Sequence, residues 1–302
     1  MKTGILLTTL ALAGLIGTAH ADVTDLKNYK IANDYIQKEN VTITKTAEQA
    51  FAQDTIMVVG EGVPKRGTSG AQRRLTALRA AEVAAQRALA EVLNGVSIVG
   101  GKTVADASAE SREIGSSVAT FIKGFSPVVK DWNNREETAL VILKVGMSGP
   151  DSFGAMIYDK ILNEPGVKEE TEKPLYTPPA ELPPPPQAPQ DFDGLIIDAT
   201  AQTFRPALIN RIFSPDGQVI YDPSRISQKV LVEQGCGEYT NSIDKARAAL
   251  GKRGVKYPLV VKASGTISPA DLQVSTDAAS QIYAASKANG FMADARVAFV
   301  LK

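Results

Sequence analysis

Few of the residue types that carry enzyme chemistry occur in this chain. There is one histidine, His20, and one cysteine, Cys236. His20 falls inside a segment that reads as a leader. From Asp22 onward no imidazole base, Cys/His dyad, internal disulfide or Cys/His zinc cage can be assembled. Only carboxylates, Ser, Lys and Tyr remain for chemistry. Three glycine motifs invite a phosphate-binding interpretation, and each lacks the residue that such binding requires. Gly60-Glu61-Gly62 stands between a predicted strand and a predicted helix, but Lys65 occupies the third glycine position of a dinucleotide fingerprint. Gly62 to Gly67 has P-loop spacing, but Thr68-Ser69 follows where a lysine must reach the phosphates. Gly101-Lys102-Thr103 ends correctly, yet Val96 replaces the first glycine. These glycines are read as turn residues that supply positive φ between packed elements.

The remaining polar clusters are equally plain. Cys236, in Gln234-Gly235-Cys236-Gly237, reads as part of a tight loop with an accessible thiol, either a small unpaired residue or an interchain disulfide partner. Arg247, Lys252, Arg253 and Lys256 follow a predicted helix, where cations complement the helix dipole or hold an anion. Glu136-Glu137 reads as a solvated pair beside a turn at Asn133-Asn134. Trp132 in the same turn is either folded back on the core or an anchor for a protein partner. No catalytic residue, cofactor site or metal site is expected, and Trp132 is the one candidate contact residue. Lys plus Arg number 33 against 33 Asp plus Glu, so no basic field favours nucleic acid.

The elements that would position these groups fall into blocks. Lys2, a mostly apolar run over 4–17 and Ala19-His20-Ala21 have the three parts of a secretory signal peptide, predicting cleavage after Ala21. The apolar run is shorter than the roughly 20 residues needed to cross a bilayer. Export to the periplasm or cell surface is therefore expected. Residues 22–50 read as a helical or extended segment, 51–165 as one α+β domain, 166–190 as a Pro-rich linker and 191–302 as a second α+β domain. Eight of the 17 prolines fall within 174–189, which predicts a stiff extended spacer between independently folding halves.

In the first domain, Thr55–Val59 reads as a strand. Ala71–Leu93 reads as the chain's best helix, with a stripe of Leu75, Leu78, Ala81, Ala85, Leu89 and Val92 and a cap at Thr68 or Ser69. Ile122–Lys130 and Thr138–Val145 read as strands, and Ser152–Leu162 as a helix. In the second, Leu195-Ile196-Ile197 is a buried strand. A hairpin turns at Ser214-Pro215-Asp216-Gly217, and Lys229–Val232 reads as a further strand. Helices over 242–250 and 277–288 and strands over 259–263, 271–275 and 296–301 complete it. The class is α+β: two small mixed domains, each an antiparallel or mixed sheet packed with helices.

Residues from about Ile56 to Leu162 resemble the lipoprotein-20 type envelope domain, related to the N-terminal domain of flagellar assembly protein T and to flagellar protein P. The resemblance rests on Gly60-Glu61-Gly62, on Ala80-Ala81, Ala84-Ala85 and Arg87-Ala88-Leu89-Ala90, and on Gly95-Val96 and Thr103-Val104. Phe121-Ile122-Lys123-Gly124 and Val141-Ile142-Leu143-Lys144-Val145 complete it. Unlike those lipoproteins, this chain has no anchoring cysteine directly after the leader. The resemblance implies a non-enzymatic assembly or scaffold role in the envelope, near the outer membrane or flagellar basal body. Other envelope proteins or a second copy would be the partners, and any outer-membrane association would run through protein. The alternative is a periplasmic module that binds a small ligand or polysaccharide.

Overall fold

The computed structural model describes residues 26–172 and 191–302. The leader and the proline run lie outside the described residues. The first unit contains α1 (Lys30–Glu39), α2 (Ala47–Gln53), β1 (Thr55–Gly62), α3 (Ala71–Asn94), β2 (Ser97–Val99), β3 (Lys102–Thr103), α4 (Val104–Glu110) and α5 (Arg112–Gly124). It continues with β4 (Val129–Asn133), β5 (Thr138–Gly146), α6 (Phe153–Asn163) and α7 (Pro165–Glu172).

An antiparallel sheet of order β1-β5-β4 organises this unit. Both of its faces are covered, which is why the β5 residues Ala139 to Leu143 are apolar without alternation. On one face Tyr29, just before α1, and Ala32 of α1 lie over Met57, Val59, Leu140 and Ile142. No side chain of its own caps α1. Asp131 of β4 does so instead, its Oδ2 accepting from Ile31 N at 2.8 Å and Ala32 N at 3.1 Å.

On the other face lies α3, and its contact residues are small: Ala77, Ala81 and Ala85 are fully buried. They face Gly60 and Gly62, which stand inside β1 rather than in a turn. A Cβ on Gly60 would lie 2.2 Å from Ala81 O and Ala85 N, and one on Gly62 would lie 2.2 Å from Ala77 O. These glycines admit a helix to van der Waals contact with a strand, which corrects the turn reading. Leu75, expected in the buried stripe, is exposed, and Gly70 precedes α3 without a side-chain cap.

Other expectations also change. Phe121-Ile122-Lys123-Gly124 ends the amphipathic α5, capped by Ser111, and the strand begins only at Val129. Residues 166–172, placed in the linker, belong to α7, which begins at Pro165 and buries Val167 in the core. Residues 26–50 pack on the sheet as part of the same unit.

The second unit contains β6 (Gly194–Asp198), β7 (Arg211–Phe213), β8 (Val219–Tyr221), α8 (Gln228–Gln234), β9 (Glu238–Thr240) and α9 (Ile243–Lys252). It ends with β10 (Pro258–Ser268), β11 (Asp271–Val274), α10 (Thr276–Asn289) and β12 (Val297–Val300). The sheet order is β8-β7-β11-β10-β6-β12-β9, with antiparallel pairs β8–β7 and β11–β10 and the other pairs parallel. Ile196, Ala298 and Val300 meet α9 on one face. Leu195, Ile197, Val297 and Phe299 face the main core with Ala279 and Ile282 of α10.

The predicted hairpin turn is present, with Gly217 at φ 77°. Lys229–Val232, read as a strand, lies in α8, whose first turn donates Val230 N to Ser227 Oγ. Directly paired Arg211 and Asp271 make a buried fork, Nε–Oδ1 2.9 Å and Nη2–Oδ2 2.7 Å, across β7 and β11. The architecture is α+β, with one unit built on an antiparallel sheet and the other on a mixed sheet.

The units share a continuous core. Leu208 N and Ile209 N donate to Ser97 O and Ile98 O of β2 at 2.9 and 2.8 Å, and Gly149 N donates to Val232 O at 2.8 Å. These bonds and the shared core bury the junction between the units.

Candidate functional site

The junction leaves a cleft of about 370 Å³ between the units. The first unit contributes Phe51 and Asp54 from the end of α2, Met147 and Ser148 after β5, and Tyr158 of α6. The second contributes residues 233–239, Ala207, Leu208, Lys252 and Arg253.

Its floor is a closed polar network. Asn210, fully buried, accepts from Ala207 N at 2.8 Å and donates to Arg205 O at 3.1 Å and Ala270 O at 2.6 Å. The Tyr239 hydroxyl reaches the Asn210 carbonyl oxygen and Ala207 O, while the Cys236 Sγ lies 3.0 Å from that hydroxyl. Tyr221 donates to Cys236 O at 2.6 Å, and Tyr158 donates across the junction to Leu208 O at 3.0 Å. Burial pushes all three tyrosines well above their ordinary range and raises the Cys236 thiol. The thiol stays protonated and is shielded, which corrects the expectation of an accessible one.

Arg253 forms one wall. Its Nε donates to Glu238 at 2.8 Å, Nη1 to Ala295 O at 2.7 Å and Nη2 to Gln234 O at 2.6 Å. One guanidinium thus brackets three segments. At the mouth, Asp54 adopts left-handed backbone, φ 49°, a conformation aspartate tolerates. Ser148 Oγ donates to its Oδ2 at 2.6 Å. Asp54 is an exposed residue, but the protein around its carboxyl desolvates the charged form, and that effect outweighs the Ser148 bond and raises its pKa. The arrangement offers one carboxylate eased toward neutrality above a floor of neutral hydroxyls.

Residues 194–302 match a family model described as the second domain of Treponema pallidum Tp0624. The match begins at Gly194, the first residue of β6, and so follows the boundary of the second unit. It spans a little over a third of the chain. No curated protein matches the chain.

Trp132, the predicted contact residue, sits on β4 rather than at the turn tip. It is half-buried on the α3 side of the sheet, where its ring packs on the core and its indole N–H donates to Asn134 Oδ1 at 2.7 Å. Glu136 accepts from Asn28 at 3.3 Å, and Glu137 pairs with Arg73. Lys102, of the third glycine motif, pairs with Glu110 and, at 3.7 Å, with Glu164. The expected basic cluster divides: Arg253 serves the cleft wall, while Arg247 and Lys256 line a shallow pocket with Phe192 and Tyr257.

Among the described residues no group of three or more His, Cys, Asp or Glu is placed to hold a metal. Sequence reasoning missed the cleft as a whole. Its two sides lie far apart in the chain, and no local sequence signal marks either of them.

Proposed function

We propose that this protein is a non-enzymatic, exported envelope component that acts as an assembly or scaffold element through protein contacts. What supports the reading best is how the reactive side chains of the cleft are spent. Each nitrogen of Arg253 donates to an acceptor within the protein, Cys236 and the tyrosines are buried and neutral, and the floor network ties the units together. A catalytic site keeps such groups open to a substrate; here they hold a shape. The lipoprotein-20 resemblance of the first unit points the same way, toward the outer membrane or flagellar basal body. Other envelope proteins or a second copy would be the partners, and neither nucleic acid nor a cofactor would be needed.

A second reading, a module for a small ligand, draws on the cleft itself, since a concavity of about 370 Å³ falls within the size range of small-molecule sites.

Trp132→Ala tests the contact reading. As an anchor, it should weaken co-purification with envelope fractions by about 2 kcal/mol or more while the melting temperature falls little. Loss of stability with unchanged association assigns Trp132 to the fold alone. Turnover of any substrate, abolished by one carboxylate or lysine substitution, overturns the non-enzymatic reading.

A further inference from the structure

The stretch from Val63 to Arg79 carries Lys65, Arg66, Arg73, Arg74 and Arg79 and no acidic residue, in a chain whose charges balance overall. The structure gathers these cations at one end of the first unit, on the loop after β1 and the first turns of α3. Lys65 N donates to Thr76 Oγ1 at 3.1 Å, which pins the loop beside the helix. Only Arg73 is committed, to Glu137 and the Thr68 carbonyl. Lys65, Arg66, Arg74 and Arg79 are exposed and make no ion pair among the described residues. The acids at this end are Glu61, Glu136 and Glu137, with Glu82 one turn beyond Arg79 and 3.7 Å from Lys130.

Helix stability does not account for this placement. Arg73 and Arg74 stand in the opening of α3, which has no acid in its first turn and no side-chain cap. Cations there oppose the helix dipole. Amid them, two aliphatic side chains face solvent: Val63 is 67% exposed and Leu75 64%. Neither is needed by the core, which is closed beneath them by Ala77 and Gly62.

We infer that this end of the first unit docks directly on the surface of an anionic lipid bilayer. Unpaired cations around exposed aliphatic groups match that surface, since headgroup phosphates take the charges and the acyl boundary takes Val63 and Leu75. A soluble polyanion would reward only the cations. The inference does not rest on the scaffold reading, because it supplies a membrane contact that needs no protein intermediary.

The test is flotation of the chain from Asp22 onward, so that the apolar residues 4–17 do not contribute, with vesicles of phosphatidylglycerol and phosphatidylethanolamine or of phosphatidylcholine alone. Binding is expected to the anionic vesicles, falling as salt rises, and not to the neutral ones. Arg66→Ala with Arg74→Ala should weaken it about 20- to 30-fold, from roughly a fivefold factor per cation. Val63→Asn with Leu75→Asn should weaken it at least about tenfold and remove the part that survives high salt. Thermal unfolding of both double variants should match the parent, since the side chains are exposed.

Failure of the parent to float with anionic vesicles at low salt overturns the inference. So does parent-like binding by either double variant. Undiminished binding of inorganic polyphosphate by the Val63/Leu75 variant, with vesicle flotation also unchanged, assigns the patch to soluble polyanions. A concentration-dependent dimer abolished by Leu75→Asn assigns it to a second copy.

Discussion

Gly60→Ala adds a single methyl group, and the structure makes it one of the most damaging small changes available. The new Cβ would stand 2.2 Å from Ala81 O and Ala85 N and 2.8 Å from Ala85 Cα. Ordinary contact needs about 3.5 Å or more, so α3 must withdraw from β1 by more than 1 Å, on the order of a quarter of a side-chain layer. All three obstructing atoms are backbone of a 24-residue helix, so no rotamer change relieves the clash. Withdrawal loosens the contacts of Ala77, Ala81, Ala85 and Leu89 together. Overpacking usually costs about 1–3 kcal/mol, and the upper end or beyond is expected here. At roughly 2–4 °C per kcal/mol for a chain of this size, the melting temperature should fall by about 6–12 °C.

Urea and thermal unfolding followed by circular dichroism measure the loss. Gly67→Ala serves as a comparison: its φ of +79° carries a backbone penalty, but nothing lies within 4 Å. It should cost only about 1 kcal/mol. Ala85→Gly should not rescue Gly60→Ala, because the clash is with backbone. A melting temperature within about 2 °C of the parent for Gly60→Ala, or rescue by Ala85→Gly, would falsify the close-packing argument.

Three further outcomes follow from the same structure. Asp131→Ala strips α1 of its only side-chain cap and should cost about 1–2 kcal/mol, with limited proteolysis cutting first within residues 26–45. Arg211→Met leaves Asp271 buried without its guanidinium and should cost about 3–5 kcal/mol, whereas Arg211→Met with Asp271→Leu should recover most of it; denaturant midpoints distinguish the two. Because desolvation raises the folded-state pKa of Asp54, the charged carboxylate destabilises the fold at neutral pH, and that cost vanishes as pH drops below the unfolded value of about 3.9. Asp54→Asn should therefore raise the melting temperature at pH 7, and the gain should shrink toward pH 3.5.

Much of the local structure was legible because it is written in short-range signals. The alanine-rich helix needed only its periodicity, and the Ser214-Pro215-Asp216-Gly217 turn only its composition. The errors arose where one short apolar run suits either element. Lys229–Val232 has no strand partner and obeys its Ser227 cap and the following Gly235, both of which stood in the sequence. Ile122 continues the helical spacing of Ile114 and Val118, a cue that the nearby β-branched residues obscured. Gly60 and Gly62 looked like a loop because glycine is read first as conformational freedom. Their use is spatial and depends on a helix more than ten residues away.

Least legible was the joining of the units. The prolines suggested separation, whereas the pairing of β2 with residues 207–209 and the Tyr158–Leu208 bond are long-range contacts between segments with no local signature. The cleft, with Asp54 at its mouth, is a consequence of that joining.

The central claim is that this protein works in the envelope by contact. It is tested most directly by photo-crosslinking in intact cells, with a photoreactive phenylalanine analogue at position 132 and, for comparison, at buried position 213. The account predicts an exported protein that begins at Asp22 and forms an ultraviolet-dependent adduct with an envelope protein or a second copy from position 132 but not from 213. A protein that remains cytoplasmic, or forms no adduct from position 132 at parental stability, would contradict it.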